Sequence, residues 1–441
     1  MISQVLNIVN IAIGAVFMLC YLYQIVFLFI SFFTKPKKYP ETDKRYKYAF
    51  IISARNEENV ISQLCDTIKA QNYPSELIET YVVADNCTDS TADVARACGA
   101  NVFERNDTTQ VGKGYALKAL FDRIDATVGF DAFDAYIVVD ADNLLDSNYV
   151  YEMNKCFASG ARIITSYRNT KNYGDNWISQ GYSVWFVREM RQLNAVRSVL
   201  GTTSEVRGTG FLVSKDIIKE QGGWTQHLMI EDVQFAVENV LRGETVAYCH
   251  DAIFYDEQPT SFMASWWQRK RWCRGYLQIL KRYGAKLIGA FLKGRGFSNF
   301  DLFMSMSPAF FISVGAVIIN VLAMILTLIF EPYNFVSVLL SSVVMMISAF
   351  ALFGSVGLIA VITEWKRIHT TPLRKICSVI VFPLFMATYV PIAAASMFSG
   401  TDWKPIHHNP VAEDSGIVPL HDEAEPKADE VAEEEREDAL K

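Results

Sequence analysis

Two carboxylates one residue apart, Asp140-Ala141-Asp142, stand directly after an apolar run, and a second acidic pair, Glu231-Asp232, opens a later helix-like stretch. Neighbouring oxygen ligands of this kind suit a hard divalent ion that keeps some waters and bridges substrate phosphates. Asp-x-Asp is also common in loops and caps, so the triplet gains weight only from its company. Glu231-Asp232 can complement the dipole of the helix it opens. It can equally hold one carboxylate beside a reacting hydroxyl as a general base. Trp266-Trp267-Gln268-Arg269-Lys270-Arg271-Trp272 packs three tryptophans and three cations into seven residues. Such a stretch offers faces for stacking on sugars and guanidinium forks for a diphosphate, though tryptophan and basic residues also gather at membrane interfaces.

Ser53-Ala54-Arg55-Asn56-Glu57-Glu58 and Asp85-Asn86 also follow strand-like runs. Lys113, in Gly112-Lys113-Gly114, can meet a phosphate or remain a solvated loop lysine, and the GxxxxGK[ST] pattern of a P-loop is absent. The elements that must position these residues lie between Tyr46 and about Tyr255. Strands are expected at Tyr48–Ser53, Thr80–Ala84, Tyr136–Val139, Arg162–Ser166 and Thr245–Cys249, with helical stretches after the first three. That alternation predicts an α/β sheet covered on both faces, whose ligands collect beyond the carboxyl ends of the strands.

Of the 441 residues 51% are hydrophobic, too many for an ordinary soluble chain. Val5 to Phe33 runs without a charge and is long enough to cross a bilayer. Met1 to Gln4 carries no positive charge and no small-x-small site precedes Lys35, so this stretch reads as an uncleaved span. Further spans are expected at Phe303–Phe330, Phe335–Thr363 and Ile376–Phe398, the last interrupted by Pro383 and Pro391. Lys35, Lys37 and Lys38 follow the first span, Lys293 and Arg295 precede the second, and Lys366, Arg367, Arg374 and Lys375 separate the third from the fourth. Cytoplasmic flanks are enriched in such residues, which puts the centre in the cytosol and the N-terminus outside. Leu277 to Lys293 mixes leucines and isoleucines with lysines and arginines in the manner of an amphipathic helix on the cytosolic leaflet. Residues 413–441 hold twelve acidic against three basic side chains and no aromatics, a composition expected to stay disordered. Eight cysteines without CxxC pairs indicate neither a zinc site nor a disulfide framework.

Taken together, the stretches from Ser53 to Glu58, Asp85, Asp140 and Asp142, Glu231-Asp232, and Gln268, Arg269, Arg271 and Trp272 resemble the motifs of the family 2 inverting glycosyltransferases. The resemblance is to the membrane-integrated processive polysaccharide synthases, those of cellulose, chitin and hyaluronan, and covers roughly Tyr46 to Trp272 and the flanking spans. It implies a GT-A-type α/β domain, a mixed sheet with helices on both faces, plus transmembrane helices. The expected division is a membrane helix (1–34), a cytosolic catalytic domain (35–260), the motif and interfacial helix (261–299), about three spans (300–400) and an acidic tail (401–441).

The resemblance further implies a UDP-sugar donor, of glucose or N-acetylglucosamine, with Mg²⁺ or Mn²⁺ at Asp142 and Asp140. Ser53, Arg55, Glu57, Asp85, Lys113 and Asp140 would bind the donor. Asp232, beside Glu231, would be the base, and Gln268, Arg269, Arg271 and Trp272, with Gly208-Thr209-Gly210 as an acceptor-side loop, would meet diphosphate and acceptor. A β-linked polymer made and exported by a multi-pass enzyme of the cell membrane is the leading expectation. Its partners would be the donor, the growing glycan and the bilayer, with accessory subunits left open and no nucleic acid. A single transfer to a lipid acceptor is the alternative, and a noncatalytic scaffold would lack carboxylates that are present here.

Overall fold

Tyr48–Ala54 (β1) has no polar residue before Ser53 and is buried along its length, as a central strand with both faces covered must be. The computed structural model describes residues 2–306 and 308–398, so the acidic segment at 413–441 lies outside the described residues. In chain order the elements are α1 (Ile2–Phe33), β1, α2 (Ile61–Lys69), β2 (Ile78–Asp85), α3 (Thr91–Ala97), β3 (Asn101–Arg105), α4 (Lys113–Thr127), β4 (Ala135–Asp140), β5 (Leu144–Leu145), α5 (Tyr149–Ala158) and β6 (Ile163–Thr170). There follow α6 (Trp177–Arg188), continued by a π-helical turn, α7 (Ala195–Leu200), β7 (Phe211–Ser214), α8 (Lys215–Gln221), α9 (Glu231–Arg242), β8 (Val246–Asp256) and α10 (Phe262–Leu292). The chain ends in α11 (Ser298–Ser305), α12 (Pro308–Phe330), α13 (Phe335–Thr363), α14 (Pro372–Ala387) and α15 (Tyr389–Phe398).

The strands form one sheet of order β3-β2-β1-β4-β7-β6-β8-β5. β3, β2, β1 and β4 run parallel, whereas β7 pairs antiparallel with both β4 and β6, which makes the sheet mixed. Alternation splits the core in two, as a period of two requires. Tyr48, Phe50 and Ile52 of β1 meet the apolar sides of α2 and α5, while Ala49 and Ile51 meet α4 and α9. The five expected strands are present, and β3, β5 and β7 are added to them. β8 runs on to Asp256, well past Cys249.

Among the described residues four helical stretches are long and apolar enough to cross a membrane: Gln4–Phe33, Phe311–Phe330, Pro332–Thr363 and Pro372–Phe398. The expected run from Phe303 to Phe330 is divided, α11 ending at Ser305 and α12 starting at Pro308, where a proline is tolerated because its missing N–H costs nothing in a first turn. Tyr21 of α1 spans this break, its hydroxyl donating to Met304 O at 3.2 Å and accepting from Ala309 N at 2.9 Å. Deeper along α1, the side-chain amides of Asn10 and Asn320 exchange hydrogen bonds of 3.1 and 2.9 Å. The sheet and its helices are joined to these apolar helices chiefly by α6, which packs on α13 and α14. Gly181 on α6 admits the ring of Phe385 so closely that a Cβ there would lie 2.3 Å from it.

Candidate active site

A cavity of about 490 Å³ opens beyond the carboxyl ends of β1, β2, β4 and β8, under the N-termini of α4 and α9 and along one face of α10. Ser53, Arg55, Glu57, Asp85, Lys113, Asp140, Asp142, Gly208, Glu231, Asp232, Gln268, Arg271 and Trp272 all line it. Residues scattered over most of the catalytic half thus converge because parallel strands deliver their C-termini to one edge. Asn56 and Asn86 hold left-handed backbone (φ 58° and 53°), turning the chain sharply after β1 and β2. Asp85 is buried and paired with Arg105 at 2.5 Å.

Lys113 sits at the start of α4, its ammonium bonded to the Asp140 carboxylate and to Gly208 O at 2.7 Å. Asp142 accepts from Asn143 Nδ2 at 3.3 Å and from the Glu257 amide at 3.4 Å, both long contacts. Burial raises the Asp256 carboxyl to about 6, and the charges of Asp142 and Asp140 add to this against the pull of Arg168. Among the described residues no three His, Cys, Asp or Glu side chains converge enough to hold an ion unaided. Two carboxylates in a negatively charged recess fit an ion that completes its shell with water and phosphate oxygens.

Asp232 and Glu231 occupy the first turn of α9, and Asp232 Oδ2 accepts from Gly208 N at 2.6 Å. Burial lifts both carboxyls, and the neighbouring Asp232 charge helps carry Glu231 to about 7. If Asp232 serves as a base it must be ionised, and burial holds its carboxyl above the ordinary carboxylate range. We expect transfer to decline on an acid limb that lies above that range, and Asp232→Asn to abolish the limb together with the activity. A kcat/KM profile of the purified protein checks this, and a limb near pH ~4 for the unmodified protein would contradict it.

Helical spacing sorts the tryptophan-rich motif. Gln268, Arg271, Trp272 and Tyr276 recur on one face of α10 and line the cavity. Arg269 falls on another face with Ser265 and Cys273 and is fully buried. Its guanidinium donates to Thr388 Oγ1 at 2.6 Å and Phe385 O at 3.3 Å, and lies 4.3 and 4.8 Å from the rings of Phe385 and Tyr389. The expectation that Arg269 meets the diphosphate is therefore corrected: it ties α10 to α14 and α15.

Thr209 and Gly210 also lie behind the cavity wall. The Thr209 hydroxyl accepts from Asp140 N at 2.8 Å and donates to Asn143, so it fixes the Asp-x-Asp loop instead of meeting an acceptor. Gly210 has φ +67°, and a Cβ there would stand 2.2 Å from the buried Phe254 ring. Gly210→Ala is expected to destabilise the protein by about 2–4 kcal/mol, left-handed strain adding to overpacking. Gly208→Ala, with nothing within 4 Å of its Cβ, should lower Tm less, and thermal melts of both compare them.

Several lining residues were not among those expected. Arg207 bonds Glu189 at 2.7 Å, Glu205 and the Tyr276 hydroxyl, bracing the segment that carries Gly208. Arg168 pairs with Asp256. Asp256 ends β8 just as Asp85 and Asp140 end β2 and β4, so the strand-end rule would have found it had β8 been read to its full length. Trp185 and Tyr389 complete an aromatic wall toward the apolar helices.

The pattern described for "Glycosyltransferase like family 2" matches residues 45–275, over half of the chain, and the chain belongs to that family. It is 25% identical over 297 residues to the probable glycosyltransferase YdaM of Bacillus subtilis, covering 62% of this chain and 65% of that protein. It is 24% identical over 280 residues to the beta-monoglucosyldiacylglycerol synthase of a Nostoc species, covering 61% and 57%. Poly-beta-1,6-N-acetyl-D-glucosamine synthase of Staphylococcus epidermidis is 20% identical, with 53% and 55% covered. The matched regions thus span 55% to 65% of the length of these three relatives. Among solved structures, the Pyrobaculum calidifontis mannosyltransferase PcManGT, in complex with GDP-Man and Mn²⁺, superposes with a TM-score of 0.58 at 14% identity, covering 90% of this chain and 99% of that one. That likeness is one of fold, a GT-A-like sheet with helices and apolar helices beside it.

Proposed function

We propose that the protein is an inverting glycosyltransferase that moves one sugar from a UDP-sugar to a hydroxyl of a membrane-held lipid acceptor. The observation that carries the acceptor is the packing behind Trp272. Its ring is perpendicular to that of Tyr182, centroids 5.8 Å apart, and beyond it the rings of Tyr182, Phe385 and Tyr389 gather around the Arg269 guanidinium, so the wall behind Trp272 is aromatic and apolar. The cavity meanwhile reaches Tyr389 of α15 and Ser305 of α11, so an acceptor resting among the apolar helices has its hydroxyl at hand.

In this reading Ser53, Arg55, Glu57 and Asp85 hold the nucleoside. Asp140 and Asp142 would hold Mg²⁺ or Mn²⁺, which when bound neutralises charge gathering on the leaving diphosphate. Lys113 leaves Asp140 for a phosphate oxygen, and Arg271 supplies donors from the opposite wall. Asp232 takes the proton of the acceptor hydroxyl as that oxygen attacks the anomeric carbon. One displacement inverts the configuration and needs no second carboxylate as nucleophile. In this reading the chemistry lies on the cytosolic face of a multi-pass protein, the side that the basic flanks favour.

A polymer-forming reading is favoured by one observation, the placement of Gln268, Arg271 and Trp272 together on the cavity face of α10. Membranes containing the protein, incubated with labelled UDP-glucose and UDP-N-acetylglucosamine, separate the two. We expect label to partition into organic solvent as a lipid bearing one or two sugars; a long, solvent-insoluble glycan sensitive to linkage-specific glycosidases would sink the lipid reading.

A further inference from the structure

Away from the cavity, positive charge in excess concentrates where the last turn of α9 meets the second half of α10. Arg242, Arg282, Lys286, Lys293 and Arg295 rim a groove of about 610 Å³ whose one acid is Glu238. Glu238 is already engaged, accepting from Gln226 at 2.7 Å, Gln234 at 3.0 Å and the Tyr283 hydroxyl. No carboxylate of the described residues forms an ion pair with any of the five cations. On α10, Arg282, Lys286 and Lys293 share a face with Gly289 between them, and a Cβ at Gly289 would meet nothing within 4 Å. The floor of the groove is therefore open backbone ringed by positive charge.

Its surroundings say which anion fits. Leu292, 76% exposed, projects beside the cations, and from Arg295 the chain passes through α11 into the apolar stretch Phe311–Phe330. Cations and an uncovered apolar side chain at the foot of a span are the composition of a contact with anionic lipid.

We propose that this groove seats the phosphate headgroup of an anionic phospholipid in the leaflet facing the catalytic domain. The same helix α9 carries Asp232 near its other end, about 15 Å along the axis from Arg242 at 1.5 Å per residue. Val237 and Val240 of α9 share a core with Ile279, Tyr283 and Leu287 of α10, so a headgroup seated here holds the two helices at a fixed spacing. The inference goes beyond the proposed reaction, and its test reads lipid, not transfer.

The full chain, purified in neutral detergent and exposed to equal amounts of dioleoyl phosphatidylglycerol and dioleoyl phosphatidylcholine, is examined by native mass spectrometry. Preferential retention of phosphatidylglycerol is expected. Neutralising Arg242→Gln together with Lys286→Gln should reduce that preference about tenfold. Gly289→Leu fills the groove, leaves the charge unchanged and suits a helix better than glycine, and should reduce it as well. Lys69→Gln with Lys118→Gln, on α2 and α4, should leave it intact. Equal retention of the two lipids, or wild-type preference in both groove variants, overturns the proposal. So does displacement of the lipid by inorganic phosphate at equal concentration. A preference that emerges only after residues 413–441 are removed also overturns it, since the acidic segment would then be the occupant.

Discussion

Replacing Asp232 with asparagine is expected to lower sugar transfer about 10³-fold while leaving UDP affinity within a few-fold, the span associated with loss of a general base. The amide keeps the size of the side chain and an oxygen able to accept from Gly208 N, so the loop and α9 stay in place. What disappears is the group that can take a proton. Glu231 offers no ready substitute, because burial and the neighbouring Asp232 charge hold its carboxyl up to about 7. Single-turnover rates with calorimetric UDP titrations separate the two effects. Turnover at the original rate would remove Asp232 from the mechanism, and loss of UDP binding in parallel would make it a structural residue.

Asp142→Asn carries the second large expectation, a fall in transfer on the order of 10²–10³-fold together with loss of the response of donor binding to divalent cation. In the proposed site the protein would supply two carboxylates, Asp140 and Asp142, and Asp140 also answers to Lys113. Removing one charge from so sparse a set leaves little to compete with water for the ion. UDP affinity measured with Mn²⁺ and again with a chelator is the check. The unmodified protein should bind more tightly with the ion and the variant equally in both; a variant that keeps the ion response would show that the Asp-x-Asp turn serves only the backbone.

Much of this is legible in the sequence because the strands that matter are continuous apolar runs. β1, β2 and β4 each end on a residue that lines the cavity or directly before one, and the strand-end rule needs nothing more. β7 was hidden because four residues after Gly210 carry too little periodicity, and only pairing with β4 and β6 makes them a strand. β8 was cut short because His250-Asp251 interrupts its apolar run where the pairing with β6 shifts register, and Asp256 was lost with the remainder. The Arg269 expectation failed for another reason. A motif written in one line treats neighbours as equals, whereas a helix turns each residue about 100° from the last. The break before Pro308 was masked by hydropathy, since α12 and much of α11 are apolar. The preference for a lipid acceptor over a polymer rests on Tyr182, Phe385 and Tyr389, which meet only in the folded chain.

The bonds from α1 to the far end of the protein also impose an order on its making. Asn10 and Asn320 are separated by 310 residues, and Tyr21 closes on Met304 across 283. With α1 as a membrane span, as proposed, it would enter the bilayer long before its partners are synthesised, and Asn10 and Tyr21 would lack these partners while the whole sheet is translated. Contacts of such long sequence separation form late. Biogenesis should thus favour a catalytic domain that folds on its own schedule, with the membrane half snapping shut only when α12 arrives. A chain stopped before α12 would keep its sheet and lose the seam.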